Sequence, residues 1–228
     1  MRVRVEYKKG QEIKYLSHLQ LIRLVERVLR RAQIPYALSE GFSPHIKLSL
    51  GTVLPVGVWG VREYFDLELT REIPPGQFME AVNRVAPTGF EVRQAKIISD
   101  KAPSLQAQVN AAVYCLVLKP GVEEERARTT LEDVMRGEKL MVPKRGSATE
   151  EKDLRPGIYR LSLGKEEGVL VILALVSSGS KDNIRPDELV LCLEDRGLAG
   201  AFADVYRMAN YWRQPDGSLS SPLDLEKV

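Results

Sequence analysis

Two hydrophobic periodicities alternate along the first hundred residues, and their order restricts the fold more than any other feature of the chain. Val3-Arg4-Val5-Glu6-Tyr7 alternates apolar and polar side chains with period two, the pattern of a half-buried strand, and Lys8-Lys9-Gly10 turns it. Ser17-His18-Leu19-Gln20 then has the form of a capping box, in which Ser17 accepts from the amide three residues on and Gln20 reaches back. The helix it opens is predicted to run to about Ala32 and to stop before Pro35, with Leu21, Leu24, Val25, Val28 and Leu29 as its apolar stripe. Strands are expected over 46–54 and 63–69, broken by Pro55-Val56-Gly57. Pro74-Pro75-Gly76 opens a second helix carrying Phe78, Met79, Val82 and Val85, and Pro87 and Gly89 end it. Residues 90–98 supply one more strand. The order β-α-β-β-α-β predicts a split βαβ unit, the ferredoxin-like arrangement.

The rest of the chain reads as a looser copy. Strand 112–118, helix 122–136 and a strand near 139–142 come first. A polar stretch, 143–151, follows and is expected to be an exposed, mobile loop; strands 157–163 and 168–175 and a helix or strand-helix mix around 186–194 come after it. The expectation is an α+β protein of two tandem ferredoxin-like (split βαβ) halves with antiparallel sheets. Their bounds are 1–100 and 111–195, followed by a C-terminal extension, 196–228, disordered beyond Gln214.

Composition narrows the function classes. At 228 residues and 44% hydrophobic content the chain can bury a sizeable core. No apolar run reaches the roughly 18 residues of a membrane span, and the opening Met1-Arg2-Val3-Arg4-Val5-Glu6 puts charges where an export signal needs an apolar block. A cytoplasmic location and no membrane partner are expected. Cys115 and Cys192 each lie in an apolar run and read as buried thiols; two cysteines build neither a disulfide framework nor, unaided, an iron–sulfur site. With only His18 and His45 as histidines, an all-protein zinc site is hard to assemble. No GxGxxG, P-loop, HExxH or GxSxG motif is present, and no cofactor is expected.

The formal net charge of +2 hides an asymmetry: residues 1–47 hold ten basic side chains against four acidic ones, a local +6. That imbalance suggests an anionic partner, with nucleic acid foremost. Arg23, Arg27, Arg30 and Arg31 share one face of the first helix, and Arg27 and Arg31 have no helical acid at pairing distance, as phosphate-binding arginines do. Beyond them, Glu40-Gly41-Phe42-Ser43-Pro44-His45 reads as an ordered loop in which Phe42 can stack on a base or plug the core, and Ser43, His45 and Lys47 can meet phosphate. If the chain is an enzyme, His18 and His45 are the acid–base pair, cutting or modifying RNA without a metal. A second candidate patch joins Lys144 and Arg145 to Asp153 and Arg155, where a ligand grip competes with a turn-forming salt bridge.

The segments Tyr15-Leu16-Ser17-His18-Leu19, Glu26-Arg27-Val28-Leu29-Arg30-Arg31-Ala32, Ile34-Pro35 and Ser39-Glu40-Gly41-Phe42-Ser43-Pro44-His45 resemble a bacterial domain family of unknown function. That family is associated with radical SAM proteins, alone or fused behind a cobalamin-binding member. Gln20, Ser43 and Ile46 stand where its pattern usually has an acid, an asparagine and a proline; Asp153-Leu154-Arg155-Pro156 looks like a further family feature. The resemblance implies work beside a radical SAM partner or in tRNA or rRNA metabolism. The tandem arrangement is also similar to that of tRNA pseudouridine synthases, but no Gly-Arg-Thr-Asp motif occurs. The leading expectation is an RNA-binding accessory protein, inactive alone, that positions RNA for a partner enzyme. Its rivals are a metal-independent endoribonuclease or RNA-modifying enzyme, and a protein-only docking subunit.

Overall fold

The computed structural model describes residues 1–147, 149–179 and 182–224. In chain order its elements are β1 (Arg2–Lys9), α1 (His18–Arg31), β2 (Leu48–Leu50), β3 (Trp59–Glu68), α2 (Pro75–Val85), β4 (Phe90–Ile98) and the single turn α3 (Leu105–Gln108). There follow β5 (Ala111–Leu118), α4 (Glu124–Arg136), β6 (Met141–Pro143), β7 (Glu151–Asp153), β8 (Ile158–Glu166), β9 (Val169–Ser177), α5 (Pro186–Leu193), β10 (Phe202–Arg213) and β11 (Leu219–Ser220). This is a mixed α+β protein in which β1 pairs with β3 and β4, β2 with β3, and β9 with β5 and β8, all antiparallel. The chain divides into two compact units, Met1–Val109 with Ala209–Val228, and Asn110–Met208.

In the first unit β1 lies between β3 and β4, and β3 also pairs with β2 and β10. The period-two pattern of β1 sends Val3, Val5 and Tyr7 into a core that Leu21, Val25, Val28 and Leu29 of α1 and Phe78 and Val82 of α2 complete. Arg4 and Glu6 face the opposite side and are also buried, because α3 and the segment 221–224 cover them: Tyr64, Leu105 and Leu223 pack together there. The capping box at Ser17 forms as its sequence predicts, with the Ser17 N–H donating to Gln20 Oε1 at 2.9 Å. The strand expected over 46–54 shrinks to three residues. After Leu50 the chain turns away, its Gly51 N–H donating to Tyr64 O at 2.8 Å, and Pro55 cannot continue a ladder.

In the second unit the strand order is β10-β5-β9-β8. Ala127, Leu131 and Val134 of α4 and Leu189, Cys192 and Leu193 of α5 close its core over Tyr114, Leu116 and Ile172. Two expectations change here. The strand near 139–142 does not enter the main sheet; as β6 it pairs with β7 in a separate two-stranded ribbon that holds the ends of the 143–151 loop together. Ala148 in that loop lies outside the described residues. The larger change is at the C-terminus. The segment read as an extension contains β10, twelve residues long, and a turn at Pro215-Asp216-Gly217 that returns the chain as β11, pairing Trp212 with Ser220. Ordered structure therefore continues past Gln214, and residues 225–228 lie outside the description. Both cysteines are buried free thiols. Among the described residues no helix is long and apolar enough to cross a membrane.

Candidate nucleic-acid interface

Helix α1 presents the most distinctive surface of the first unit. Leu21, Val25, Val28 and Leu29 pack on the core, Leu24 at the edge of the stripe is half-buried, and Arg23, Arg27, Arg30 and Arg31 are exposed on the other side. None of the four makes an ion pair or a side-chain hydrogen bond among the described residues. Glu26, at helical spacing from Arg23 and Arg30, is half-buried and pairs with neither. Arg23, Arg27 and Arg31 form a row at i, i+4 and i+8, beside a second row of Gln20, Leu24 and Val28. With Leu16 and Pro87 these side chains line an open groove of about 460 Å³. Arg30 lies on the helix but not on the groove.

Helix α4 of the second unit supplies an internal comparison. It too exposes arginines, but each is engaged: Arg128 with Glu124 at 2.9 Å, Arg136 with Glu132 at 2.8 Å, and Arg126 with Gly197 O at 2.6 Å. The arginines of α4 are thus engaged, two of them through i, i+4 carboxylates. The face of α1 does not.

The loop 40–45 springs from a narrow ladder in which Leu38 bridges Ile46. The Ser39 N–H donates to His45 O at 2.8 Å and the His45 N–H to Ser39 Oγ at 3.1 Å, while Ser39 Oγ lies 2.9 Å from His45 Nδ1. Gly41, at φ +116°, turns the backbone where a side chain would be strained. Phe42 at the tip is fully exposed, so the core-plug alternative falls. His45 Nδ1 is held inside the loop, leaving Nε2 as the ring nitrogen with no internal partner.

The structure separates residues that the sequence placed together. His18 lines a small pocket with Lys9, Leu54 and Glu63, whereas His45 lines a different one with Arg2, Lys47 and Asp66. Neither of these two pockets is shared by the histidines, and neither histidine lines the arginine groove. Lys47 is paired with Glu68 at 3.1 Å. The local +6 is also smaller at the surface than in the sequence. Arg4 and Lys9 are each 1% exposed; Lys9 Nζ donates to the Lys14, Leu16 and Val58 carbonyls, and Arg4 is consumed by a buried network. In that network its guanidinium grips Asp66 at 2.7 and 2.9 Å and also reaches Gln108 Oε1, Pro103 O and Pro222 O.

The second candidate patch divides in the same way. Asp153 and Arg155 do not pair with each other. Asp153 Oδ1 accepts from the Leu140 and Arg155 N–H groups, and these two backbone bonds hold its carboxyl below the usual carboxylate range. Arg155 donates to the carbonyls of Met135 and Gly137 at the end of α4 and to Ile158 O, satisfying groups that a helix C-terminus leaves open. These two residues are a backbone clamp. Lys144 pairs with Glu150 at 2.5 Å, and Arg145 stays exposed beside it. Sequence reasoning missed Asn210, which donates to Arg62 O and Glu63 Oε1 and holds the Thr52 hydroxyl; the polar residues of β10 hid it.

Residues 2–186 match a family model described as an uncharacterized protein conserved in bacteria (DUF2344). The chain belongs to that family. Its description assigns no activity, so the geometry of α1 and the loop is the guide to function. No curated protein matches the sequence. Among solved structures, a chain from the crystal structure of a Cbf5-Nop10-Gar1 complex is similar with a TM-score of 0.50 at 14% identity, over 91% of this chain and 48% of that one. This chain spans about half the length of that neighbour, and a likeness at such identity is one of fold.

Proposed function

We propose that the protein binds RNA through the α1 groove and the 40–45 loop, and that it positions this RNA for a partner enzyme. The observation that carries the reading is the row Arg23, Arg27, Arg31: three exposed cations at one-turn spacing, without partners among the described residues although helix α4 pairs its Arg128 and Arg136. Side chains left free in this way suit phosphate oxygens, which take the guanidinium fork in two parallel bonds. Phe42 adds an aromatic face for an unpaired base. We read both units as ferredoxin-like halves and the setting as cytoplasmic. A radical SAM protein or an RNA-processing factor is the proposed partner. Its docking surface would include the exposed apolar side chains Tyr15 and Val56, whose chain neighbours meet where the Gly57 N–H donates to Lys14 O at 3.0 Å. An acid–base role for His18 with His45 is disfavoured because the two rings line different pockets.

Crosslinking in native cells, followed by sequencing of the bound RNA, tests the proposal. The wild-type protein should enrich a defined RNA class, and the Arg27→Ala, Arg31→Ala double variant should lose that enrichment at equal protein abundance. Equal, indiscriminate recovery by both proteins would dismiss the reading.

A further inference from the structure

We propose that the α1 groove takes unpaired nucleotides, with a base on its apolar floor and the adjoining phosphates on Arg23, Arg27 and Arg31. This rests on the RNA-binding reading and names its substrate class. One wall of the groove is the cationic row; the floor is Leu16, Leu24, Val28 and Pro87. A duplex offers its partner phosphates and 2′-hydroxyls, which need the row but leave an apolar floor facing polar backbone. An unpaired nucleotide offers both chemistries at once: an apolar base face and, at each end of its sugar, a phosphate.

Size points the same way. About 460 Å³ lies within the range of small-ligand pockets, enough for one base with its sugar and too little for a helix. The row from Arg23 to Arg31 rises only about 12 Å at 1.5 Å per residue, whereas duplex-reading modules spread their contacts over about 16 base pairs. Gln20 stands at the same groove. Its Oε1 accepts from the Ser17 N–H, so the amide NH₂ remains to donate to a base edge.

The test uses the full chain and fluorescence anisotropy with three labelled probes: a ten-nucleotide oligouridylate, a ten-base-pair RNA duplex, and a ten-unit abasic ribose phosphate of the same charge as the oligouridylate. The oligouridylate should bind at least tenfold tighter than either of the others. Arg27→Ala should weaken it and flatten the salt slope by about 0.7. Leu24→Asn should bring oligouridylate affinity down to that of the abasic probe while leaving the abasic probe unchanged. Should Leu24→Asn fold poorly, crosslinking of 4-thiouridine-labelled oligouridylate to the wild type gives the same information. Adducts should fall within 16–31 or at Pro87. Equal binding of all three probes, or adducts confined elsewhere, overturns the unpaired-nucleotide inference and leaves RNA binding standing. No RNA binding at all, with capture of an acidic amphipathic peptide instead, overturns the RNA reading itself and assigns the groove to a protein partner.

Discussion

Arg4→Met separates the charges that hold the fold from the charges that serve a partner. Arg4 sits opposite Asp66 across β1 and β3 and uses all five guanidinium N–H groups: two on the Asp66 carboxylate, one each on Gln108, Pro103 O and Pro222 O. Methionine fills much of the space but donates nothing. Asp66 is then left buried, with Arg2 Nε as its nearest cation among the described residues, 4.0 Å away, and three acceptors lose their donor. Breaking a buried pair by removing one partner costs about 3–5 kcal/mol. At roughly 2–4 °C per kcal/mol for a chain of this size, the melting temperature should fall by about 6–20 °C. Arg4→Met, Asp66→Leu, which removes both charges, should recover most of the loss. Below its melting point Arg4→Met should keep the wild-type salt slope for RNA, because its lost charge never faced solvent. Arg27→Ala should behave in the opposite way, with an unchanged melt and a flatter slope. Thermal melts by circular dichroism and anisotropy titrations at several salt concentrations read both quantities. An Arg4→Met melt within 2 °C of wild type would falsify the account of the network.

Four further outcomes are expected. Arg155→Ala should lower the melting temperature, since three carbonyls lose a charged donor at about 1–3 kcal/mol for the first group left unsatisfied, and RNA affinity should not change. Asp153 has its carboxyl depressed by the Leu140 and then the Arg155 N–H, so its contribution is present above the unfolded value near 3.9 and lost as pH falls through the folded one. Acid denaturation curves of Asp153→Asn should therefore be flatter than wild type below about pH 4; parallel curves would refute this. Tyr64 and Tyr206 are pushed up, first by burial and then by Glu6 and by Cys115 and Glu166 beside them. Their stabilisation is complete below about pH 10 and declines as pH rises, so alkaline unfolding and ultraviolet phenolate absorbance should begin together. Ser43→Ala with His45→Ala should leave stability within about 1 kcal/mol, as for most exposed positions, and weaken RNA binding; a destabilised double variant that binds normally would remove the loop from the interface.

The sequence disclosed elements whose hydrophobicity is periodic. The Ser17–Gln20 cap and the stripe of α1 depend on spacing alone, as do the alternation of β1 and the proline and glycine bounds of α2, and each appears as expected. What stayed hidden depended on partners distant in sequence. β10 carries Arg207 and Asn210 at buried positions, which breaks the alternation that marks a strand, although Gln214-Pro215-Asp216-Gly217 was a turn signal for the hairpin that ends it. Arg4 and Lys9 look like surface charge because nothing local shows that α3 and the C-terminal segment will cover one and three carbonyls will bind the other. In the candidate site, the arginine face was legible from helical spacing. That Lys47 is paired, that Phe42 is free, and that the two histidines part company required the folded chain.

The strongest support for a functional reading of α1 comes from inside the molecule. In each unit a helix follows the first strand and packs its apolar side on the sheet, so α1 and α4 answer to the same packing demands. Their outer faces were free to differ. On α4, three arginines are matched by four carboxylates, and Arg128 and Arg136 each close an i, i+4 bridge. Such exposed pairs are worth about 0.3–0.5 kcal/mol each, enough to favour a helix yet too little to be indispensable. On α1, four arginines face one glutamate and no bridge forms, which forgoes that benefit and adds repulsion along the row. Stability alone therefore gives no reason for the α1 face. A paired substitution makes the contrast measurable: Arg27→Glu on α1, and Arg128→Glu on α4. The α4 change places a third carboxylate beside Glu124 and Glu125 and should lower the melting temperature with no effect on RNA. The α1 change creates an acid four residues from Arg23 and Arg31; it should leave the melting temperature level or raise it, while reducing RNA affinity at least tenfold. If both substitutions destabilise alike and neither alters RNA binding, the arginine row is ordinary solvated surface.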